Sequence, residues 1–509
     1  MQARPCTQGP SFSWPLADLL DGWARVQKMH SDTVITGLGL DSRTIEAGAL
    51  FFAAQGTRQH GLQYSEQAMA RGVAAIAWEP GPQAREDCLR DDLPCIRIPD
   101  LQQQIGPIAR RFFRNPSQHI HVIGVTGTDG KTSVSQFLAQ AFAQLGIPCG
   151  VVGTLGYGIH PDLEPETCTT PDAIRMQALL HGFFEKETPQ VVVEASSHGL
   201  KQGRLNGVDV DTAIFTNLGH DHMDYHPSLE DYKNSKRILF RVAGLQHAVI
   251  NVDDAFGRKL AEEAGNHTRV VPYSCSMRLA GKEPHVYASN VSASQKGTVI
   301  EIDSSWGSGV IDTRLCGKFN VSNLLAVTGA LLADGHALDE VIAAVSRVKT
   351  VPGRMERVQG GRDAPSVLVD YAHTPQALSS VLQVLRETCG GRLWCVFGCG
   401  GDRDSGKRKY MAQAVESLAD HAVVTDDNPR FEDPDDIVQD VVAGFSPAAS
   451  YSVIHDRKQA IAHAIHQAKP GDTVLIAGKG HETLQIIEGK RLPFDDRKTA
   501  ADCLGKYLA

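Results

Sequence analysis

Apolar and polar positions alternate along this chain so that short buried strands are repeatedly followed by helical stretches. HIHVIGV, ending at Val125, is an unbroken apolar run of strand length, and TSVSQFLAQAFAQLG, from Thr132, has helical spacing and a Gly146 stop. PQVVVEA and DTAIFTNL repeat the strand pattern with helical stretches between them, which predicts a central, mostly parallel sheet covered by helices. Upstream, ALFFA, VAAIAW and PCIRI predict a small α/β unit that ends in the polar connection FFRNPSQH. Downstream, a proline–glycine break at TVPGRME, near Val351, opens a third block. Its four apolar runs (SVLVD, LWCVFG, HAVVT, TVLIAG) each stop in a polar loop: YAHTP, CGGDRD, DDNPR and KGHE. Ligands of open α/β sheets bind beyond the carboxyl ends of the strands, so these loops together would build a site.

A length of 509 residues suits three or four domains, and 42% hydrophobic with 21% charged residues is ordinary for a soluble enzyme. The net charge of −9 offers no general attraction to nucleic acid or to an anionic membrane, so anions must be held by local groups. The 11 cysteines are scattered through apolar stretches, as at Cys149 and Cys395, and read as reduced thiols of a cytosolic protein. The first apolar patch, LADLL, carries Asp18, and no run approaches membrane-spanning length. A cytoplasmic protein without membrane insertion is expected.

Candidate chemistry begins at GVTGTDGKTS, between the first central strand and its helix. Backbone N–H groups from Gly127 through Thr128, Asp129 and Gly130 to Lys131 can surround phosphate oxygens at a helix N-terminus, with Ser133 beside them. Lys131 supplies a point charge and the Thr132 hydroxyl can reach Mg²⁺. The full Walker spacing needs a glycine where Val125 stands, so the motif is the shorter GxxGKT. Glu194, at the end of VVVEA, could share that Mg²⁺ or be an ordinary ion-pair partner. NLGHDHMDYH nearly matches the HxHxDH pattern of dinuclear metal hydrolases, with Tyr225 in the last histidine's place; it reads equally well as a polar loop with local hydrogen bonds. Lys233 and Lys236, on one helical face, read as solvated lysines.

In order, GVTGTDGKTS, EASSHGL, NLGHDHMDYH, DYKNSK, GKFNVSN, PGRME, VDYAHTP, GCGGDRD, DDNPR and AGKGHE resemble the Mur ligase family, and within it the diaminopimelate-adding members. The N-terminal block matches more weakly, through LDSR and GALFFAAQG. The resemblance implies three domains: a UDP-substrate-binding domain over 1–116, an ATP-binding P-loop-type domain over 117–350, and a Rossmann-like amino-acid-binding domain over 351–509. It implies an ATP-dependent ligase of peptidoglycan synthesis that joins meso-diaminopimelate to UDP-N-acetylmuramoyl-L-alanyl-D-glutamate through an acyl phosphate. Catalytic roles would fall to Lys131, Glu194, His222 and Lys236. Thr132 and Glu194 would hold the nucleotide Mg²⁺, His222 a second Mg²⁺, and Lys236, carbamylated by CO₂, would become an anionic ligand. Asn320, Asn323, Arg354 and Asp370 match nucleotide contacts. Thr169, Thr170, Ser196, Gln202 and Arg204 match contacts to the muramoyl peptide, with Leu40 and Ser42 near the UDP group.

Two departures stand out: Asp129 replaces the usual asparagine and is expected to point away from the phosphates, and Cys168 is left outside the site. Diaminopimelate differs from lysine by one distal carboxylate, which calls for an arginine. DDNPR supplies Arg430 with Asp427, Asn428 and Pro429 around it, GCGGDRD supplies Arg403, and GKGHE supplies Glu482 for the distal ammonium with Gly478 for close backbone approach. The competing readings are a lysine-adding or folate-polyglutamate ligase, a metal-dependent hydrolase and a non-catalytic nucleotide-binding regulator. A monomer is expected.

Overall fold

The structure is a computed structural model that describes residues 12–56, 59–90, 92–166, 168–219, 221–279, 284–294, 297–361 and 364–505. His220, in the histidine–aspartate loop, lies outside the described residues. The first sheet has four parallel strands in sequence order: β1 (Gly37–Gly39), β2 (Ala49–Ala53), β3 (Ala75–Trp78) and β4 (Cys95–Arg97). Leu50 and Phe52 point to one core and Phe51 and Ala53 to another, as strand alternation requires when both faces are covered. The helix Leu101–Phe112 closes this unit and abuts the next; a Cβ on Gly106 would overlap the carbonyl of Asn206. Arg110 then donates both terminal nitrogens to Asp209, at 2.9 and 2.7 Å.

The second sheet has ten strands. In chain order they are β5 (His121–Thr126), β6 (Cys149–Gly153), β7 (Gly156–Ile159), β8 (Gln190–Glu194), β9 (Thr212–Phe215), β10 (His247–Asn251), β11 (Arg269–Ser274), β12 (Val286–Ser294), β13 (Gly297–Ser304) and β14 (Gly307–Thr313). Across the sheet the order is β14-β13-β12-β11-β10-β9-β5-β8-β6-β7, antiparallel at β7, β13 and β14 and parallel elsewhere. The helices Lys131–Gln144 and Lys318–Ala333 cover one face through Phe137, Leu138, Leu324 and Leu331, while Met176, Leu180, Leu239 and Phe256 cover the other. Gly146, at φ 75°, follows the first of these helices and ends it.

The third sheet has six strands: β15 (Glu356–Val358), β16 (Ser366–Asp370), β17 (Leu393–Phe397), β18 (His421–Val424), β19 (Tyr451–Val453) and β20 (Thr473–Ala477), ordered β15-β16-β20-β17-β18-β19. All but β15 are parallel. The four apolar runs of the third block are thus adjacent strands β16, β20, β17 and β18, and their polar loops leave the same edge. Helices Pro375–Thr388, Arg408–Leu418 and Pro434–Val442 cover one face, and Arg457–Gln467 and Asp496–Leu504 the other. This doubly covered parallel sheet is the predicted α/β arrangement. Among the described residues no helix is long and apolar enough to cross a membrane.

Candidate active site

The glycine-rich loop over 127–130, expected from the sequence to bind phosphate, joins β5 to the helix beginning at Lys131, and its backbone is pinned from beneath by the segment after β9. Gly127 (φ 153°) lies against Thr216 so closely that a Cβ would overlap the hydroxyl, and one on Gly130 (φ 86°) would come 2.7 Å from Asn323 Oδ1. Thr216 Oγ1 donates to the Asp129 carbonyl at 2.6 Å, the Asp129 amide donates to Asn217 Oδ1 at 2.9 Å, and the Gly219 amide donates to Thr128 Oγ1 at 2.8 Å. Lys131 Nζ donates to the carbonyls of Gly127 and Thr128, at 2.9 and 2.8 Å.

Thr132 and Ser133 are buried in the first helical turn. Thr132 Oγ1 donates to Glu194 Oε2 at 2.9 Å, and Glu194, at the end of β8, is 0% exposed. This carboxylate also accepts from the Thr154 amide (3.0 Å) and hydroxyl (2.9 Å) and from Ser135 Oγ (3.4 Å). Among the described residues no lysine or arginine forms an ion pair with it. A buried carboxylate satisfied only by hydroxyls and an amide, next to a phosphate loop, is a donor set that suits Mg²⁺, which takes one or two carboxylates and fills its shell with water and phosphate oxygens. Thr154 carries no motif and was missed in the sequence.

Lys236 corrects the residue-only reading of a solvated lysine. It is 1% exposed, donates to the Gly127 carbonyl at 2.8 Å and lies 4.1 Å from the centre of the Tyr232 ring. Burial, with Lys131 nearby, pushes its pKa well below the usual lysine range. Lys233, one turn away, does stay near the surface, 3.5 Å from Glu230. Spacing alone could not separate the two.

His222 (φ 61°) sits beside the phosphate loop, and burial pushes its pKa down to about 3, leaving a neutral imidazole able to bind a metal. His226 is different: its nitrogens meet Asp231 Oδ2 at 2.7 Å and Ser197 Oγ at 3.0 Å, a purely structural engagement. Among the described residues no three His, Cys, Asp or Glu side chains converge as a metal cage. The dinuclear-hydrolase reading is not favoured. Asp221 of the same loop is buried and reaches into the third block, with Lys407 Nζ at 3.3 Å and His373 Nε2 at 3.7 Å. Burial alone would raise this carboxyl, but His373 and Lys407 hold it well below the usual range.

A cavity of about 430 Å³ opens beside the loop, lined by Asp129, Asn320, Asn323, Arg354, Asp370 and Tyr371 among others. That volume falls in the range of small-molecule sites. The Arg354 guanidinium stacks 4.3 Å from the Tyr371 ring centre, and its Nε is buried without a hydrogen-bond partner among the described residues. Asp370 accepts from the amides of Met355 and Ala372, both at 2.7 Å. Asp129 is among the residues lining this cavity; burial raises the pKa of its carboxyl, against the pull of His373, Lys131 and Arg354 around it.

Thr170, Ser196, Gln202 and Arg204 come together beyond Glu194. Thr170 Oγ1 donates to the Glu194 carbonyl at 2.7 Å and lies 2.9 Å from Ser196 Oγ, while Arg204 Nε donates to Gln202 Oε1 at 3.0 Å. Thr169 joins through Thr154, hydroxyl to hydroxyl at 3.1 Å. Cys168, set aside in the sequence, is 3.6 Å from Arg204 NH1. Leu40 and Ser42 follow β1 on the first sheet, where Ser42 Oγ donates to Gln67 Oε1 at 2.7 Å; hydrogen bonds among the described residues do not link them to the central site.

The loops at the edge of the third sheet interlock. Arg430 (φ 57°) donates from NH1 to the Gly401 carbonyl at 2.7 Å, and among the described residues no carboxylate forms an ion pair with it. Burial and then Arg403 lower its pKa, so two guanidinium groups stand within electrostatic reach of each other, a place that suits an anion. Asp427, Asn428 and Pro429 are buried beside them. Gly478 (φ 113°) lets Asp427 approach: a Cβ there would sit 2.6 Å from Asp427 Oδ2. Asn428 Nδ2 donates to Glu482 Oε2 at 3.0 Å. Lys479 and Arg457, both fully buried beneath these loops, were missed in the sequence; the first lies inside the quoted GKGHE, the second in no motif.

Three family models match the chain: Mur ligase family, catalytic domain, over residues 34–113; Mur ligase middle domain over 125–331; and Mur ligase, glutamate ligase domain over 353–480. The UDP-N-acetylmuramoyl-L-alanyl-D-glutamate–2,6-diaminopimelate ligase of Alkalilimnicola ehrlichii is 45% identical over 499 residues, covering 96% of this chain and 99% of that protein. A solved structure of an enzyme of that name superposes with a TM-score of 0.69 at 34% identity, covering 98% of this chain and 100% of the other. The MurF ligase of Thermotoga maritima in complex with ADP shares the fold, with a TM-score of 0.61 at 16% identity over 93% of this chain and 97% of its own.

Proposed function

Since the chain belongs to the Mur ligase family, we propose that it is the ATP-dependent ligase that joins meso-2,6-diaminopimelate to UDP-N-acetylmuramoyl-L-alanyl-D-glutamate in peptidoglycan synthesis. On this reading residues 1–116 receive the UDP group near Leu40 and Ser42, 117–350 bind ATP, and 351–509 select the amino acid. It works as a cytoplasmic monomer on small molecules.

The reaction follows from charge. A carboxylate is a poor electrophile, so transfer of the γ-phosphoryl group from ATP to the glutamyl carboxylate provides a leaving group. The neutral amine of diaminopimelate then attacks the acyl carbon, loses a proton, and phosphate departs to leave an amide. The amides from Gly127 to Lys131, with the Lys131 ammonium, orient the phosphates. Thr132 and Glu194 would hold Mg²⁺, with His222 and carbamylated Lys236 at a second ion. Bound Mg²⁺ supplies the positive charge that lets triphosphate and carboxylate approach. Asn320, Asn323, Arg354 and Asp370 would hold the nucleotide. Thr169, Thr170, Ser196, Gln202 and Arg204 would hold the muramoyl peptide. Asp221, with its partners across from the third block, would help exclude water from the acyl phosphate.

The amino-acid assignment is carried by Arg430, a half-buried guanidinium with no ion-paired carboxylate among the described residues. Arg403 would assist it, while Asp427, Asn428 and Glu482 would meet the ammonium end. The test is ADP release by purified protein with ATP, Mg²⁺ and the UDP-muramoyl dipeptide. meso-Diaminopimelate is expected to support turnover far better than L-lysine. Equal turnover with both would overturn the assignment, and ligation without ATP would overturn the mechanism.

A further inference from the structure

Beneath the amino-acid loops lies a lysine that the ligation chemistry does not use. Lys479 follows β20 and is 0% exposed. Its ammonium donates to Glu482 Oε2 at 2.9 Å and to Asn428 Oδ1 at 3.0 Å. Asn428 Nδ2 donates to the same Glu482 oxygen at 3.0 Å, and the Ile486 amide donates to Asn428 Oδ1 at 2.9 Å. Both donors therefore take Oε2, while the Glu482 side chain keeps 33% of its surface exposed. A neutral donor could orient Glu482 equally well with a smaller desolvation cost. What only an ammonium adds is charge.

We propose that Lys479 is a specificity-determining residue: by neutralising Glu482 it stops the distal amino-acid subsite from attracting a side chain that ends in a lone ammonium, and so favours one that ends in a zwitterion. The inference rests on the diaminopimelate reading above. Diaminopimelate ends in a carboxylate and an ammonium, with no net charge, whereas lysine ends in the ammonium alone. The second acidic side chain of the subsite, Asp427, is itself faced by a buried cation: Arg457 NH1 stands 4.0 Å from Asp427 Oδ2, while the rest of its guanidinium pairs with Asp496 at 2.8 Å. Arg457 is thus largely engaged by Asp496, and Arg403 NH1 stands 3.9 Å from Asp224 Oδ2, so the charges around the subsite nearly balance and the Lys479 ammonium is what keeps Glu482 from tipping it acidic. A lone ammonium then gains no net attraction, whereas the zwitterion still gains through its carboxylate at Arg430. This is selectivity by withholding attraction from the wrong side chain as well as by binding the right one.

The test is kcat/KM for meso-diaminopimelate and for L-lysine, measured on the full chain with Lys479→Gln, which keeps a donor and removes the charge. The lysine-to-diaminopimelate ratio is expected to rise roughly 10-fold, the scale of one unit charge a few ångströms away in a partly screened site, and Lys479→Arg should keep the wild-type ratio. A parallel fall with both amino acids, or an unchanged ratio, overturns the inference. Should the glutamine variant not fold, Glu482→Gln leaves the lysine charge uncompensated and is expected to lower the ratio; a rise would overturn the inference. A wild-type protein that does not ligate diaminopimelate at all fails the underlying reading instead.

Discussion

Replacing Arg430 with alanine removes a half-buried guanidinium that would be left facing the distal carboxylate of diaminopimelate. Truncating one partner of a desolvated charge pair costs about 2–5 kcal/mol, and half burial puts this case towards the lower end. A loss of about 2–3 kcal/mol corresponds to roughly 30- to 150-fold in KM. Part of any loss has another origin, because Arg430 NH1 also donates to the carbonyls of Gly401 (2.7 Å) and Asn428 (3.5 Å), so alanine loosens the loop as well. L-Lysine separates the two contributions. It lacks the distal carboxylate, and removing the Arg430 charge can only favour its lone ammonium, so any loss in its kcat/KM reports the loosened loop. Steady-state ADP release, with ATP and the UDP-muramoyl dipeptide saturating and the amino acid varied, gives both numbers. Diaminopimelate should lose far more than lysine, with the KM for ATP unchanged. A diaminopimelate KM within about threefold of wild type, or an equal loss for lysine, would refute the reasoning.

Three further outcomes are expected. A Cβ at Gly153 would overlap Glu194 Oε1, so Gly153→Ala should displace that carboxylate and raise the Mg²⁺ concentration needed for half-maximal activity, while circular dichroism stays native; an unaltered Mg²⁺ titration counts against Glu194 as a ligand. Lys236→Arg, which cannot be carbamylated, should lose activity on the order of 100-fold. CO₂-depleted wild type should regain activity with bicarbonate and the variant should not, and a fully active variant removes the carbamate. Arg457→Met leaves Asp496, 0% exposed, without its bidentate partner. Breaking such a pair costs about 3–5 kcal/mol and should lower the melting transition of the third block by roughly 10 °C; an unshifted melt contradicts the buried pair.

Much of the fold was legible because parallel strands buried on both faces read as unbroken apolar runs. SVLVD, LWCVFG, HAVVT and TVLIAG became neighbouring strands, and the loops after them met at one edge. Local signals also placed the glycine-rich turn between β5 and its helix, since glycine, lysine and threonine at a helix start are a short-range pattern. Long-range pairing was not legible. Nothing in the spacing of Lys233 and Lys236 says which is buried, and nothing near Thr154 marks it as a partner of Glu194. The surroundings of Asp129 were not legible either, because they include Arg354 and His373, more than 200 residues away. The histidine-rich loop divides similarly: His226 is absorbed by Asp231 and Ser197, contacts that composition cannot foresee.

The grip of Asp221 on Lys407 and His373 also constrains how such an enzyme could be re-engineered. If amino-acid choice resides in the block after Val351, a chimera carrying that block from a relative with another preference should inherit the preference. The graft must bring its own lysine and histidine to the seam, or the acceptor half is left with an orphaned acid buried where the two halves should mate. Recombination among these ligases would then be filtered less by the pocket being exchanged than by this one junction.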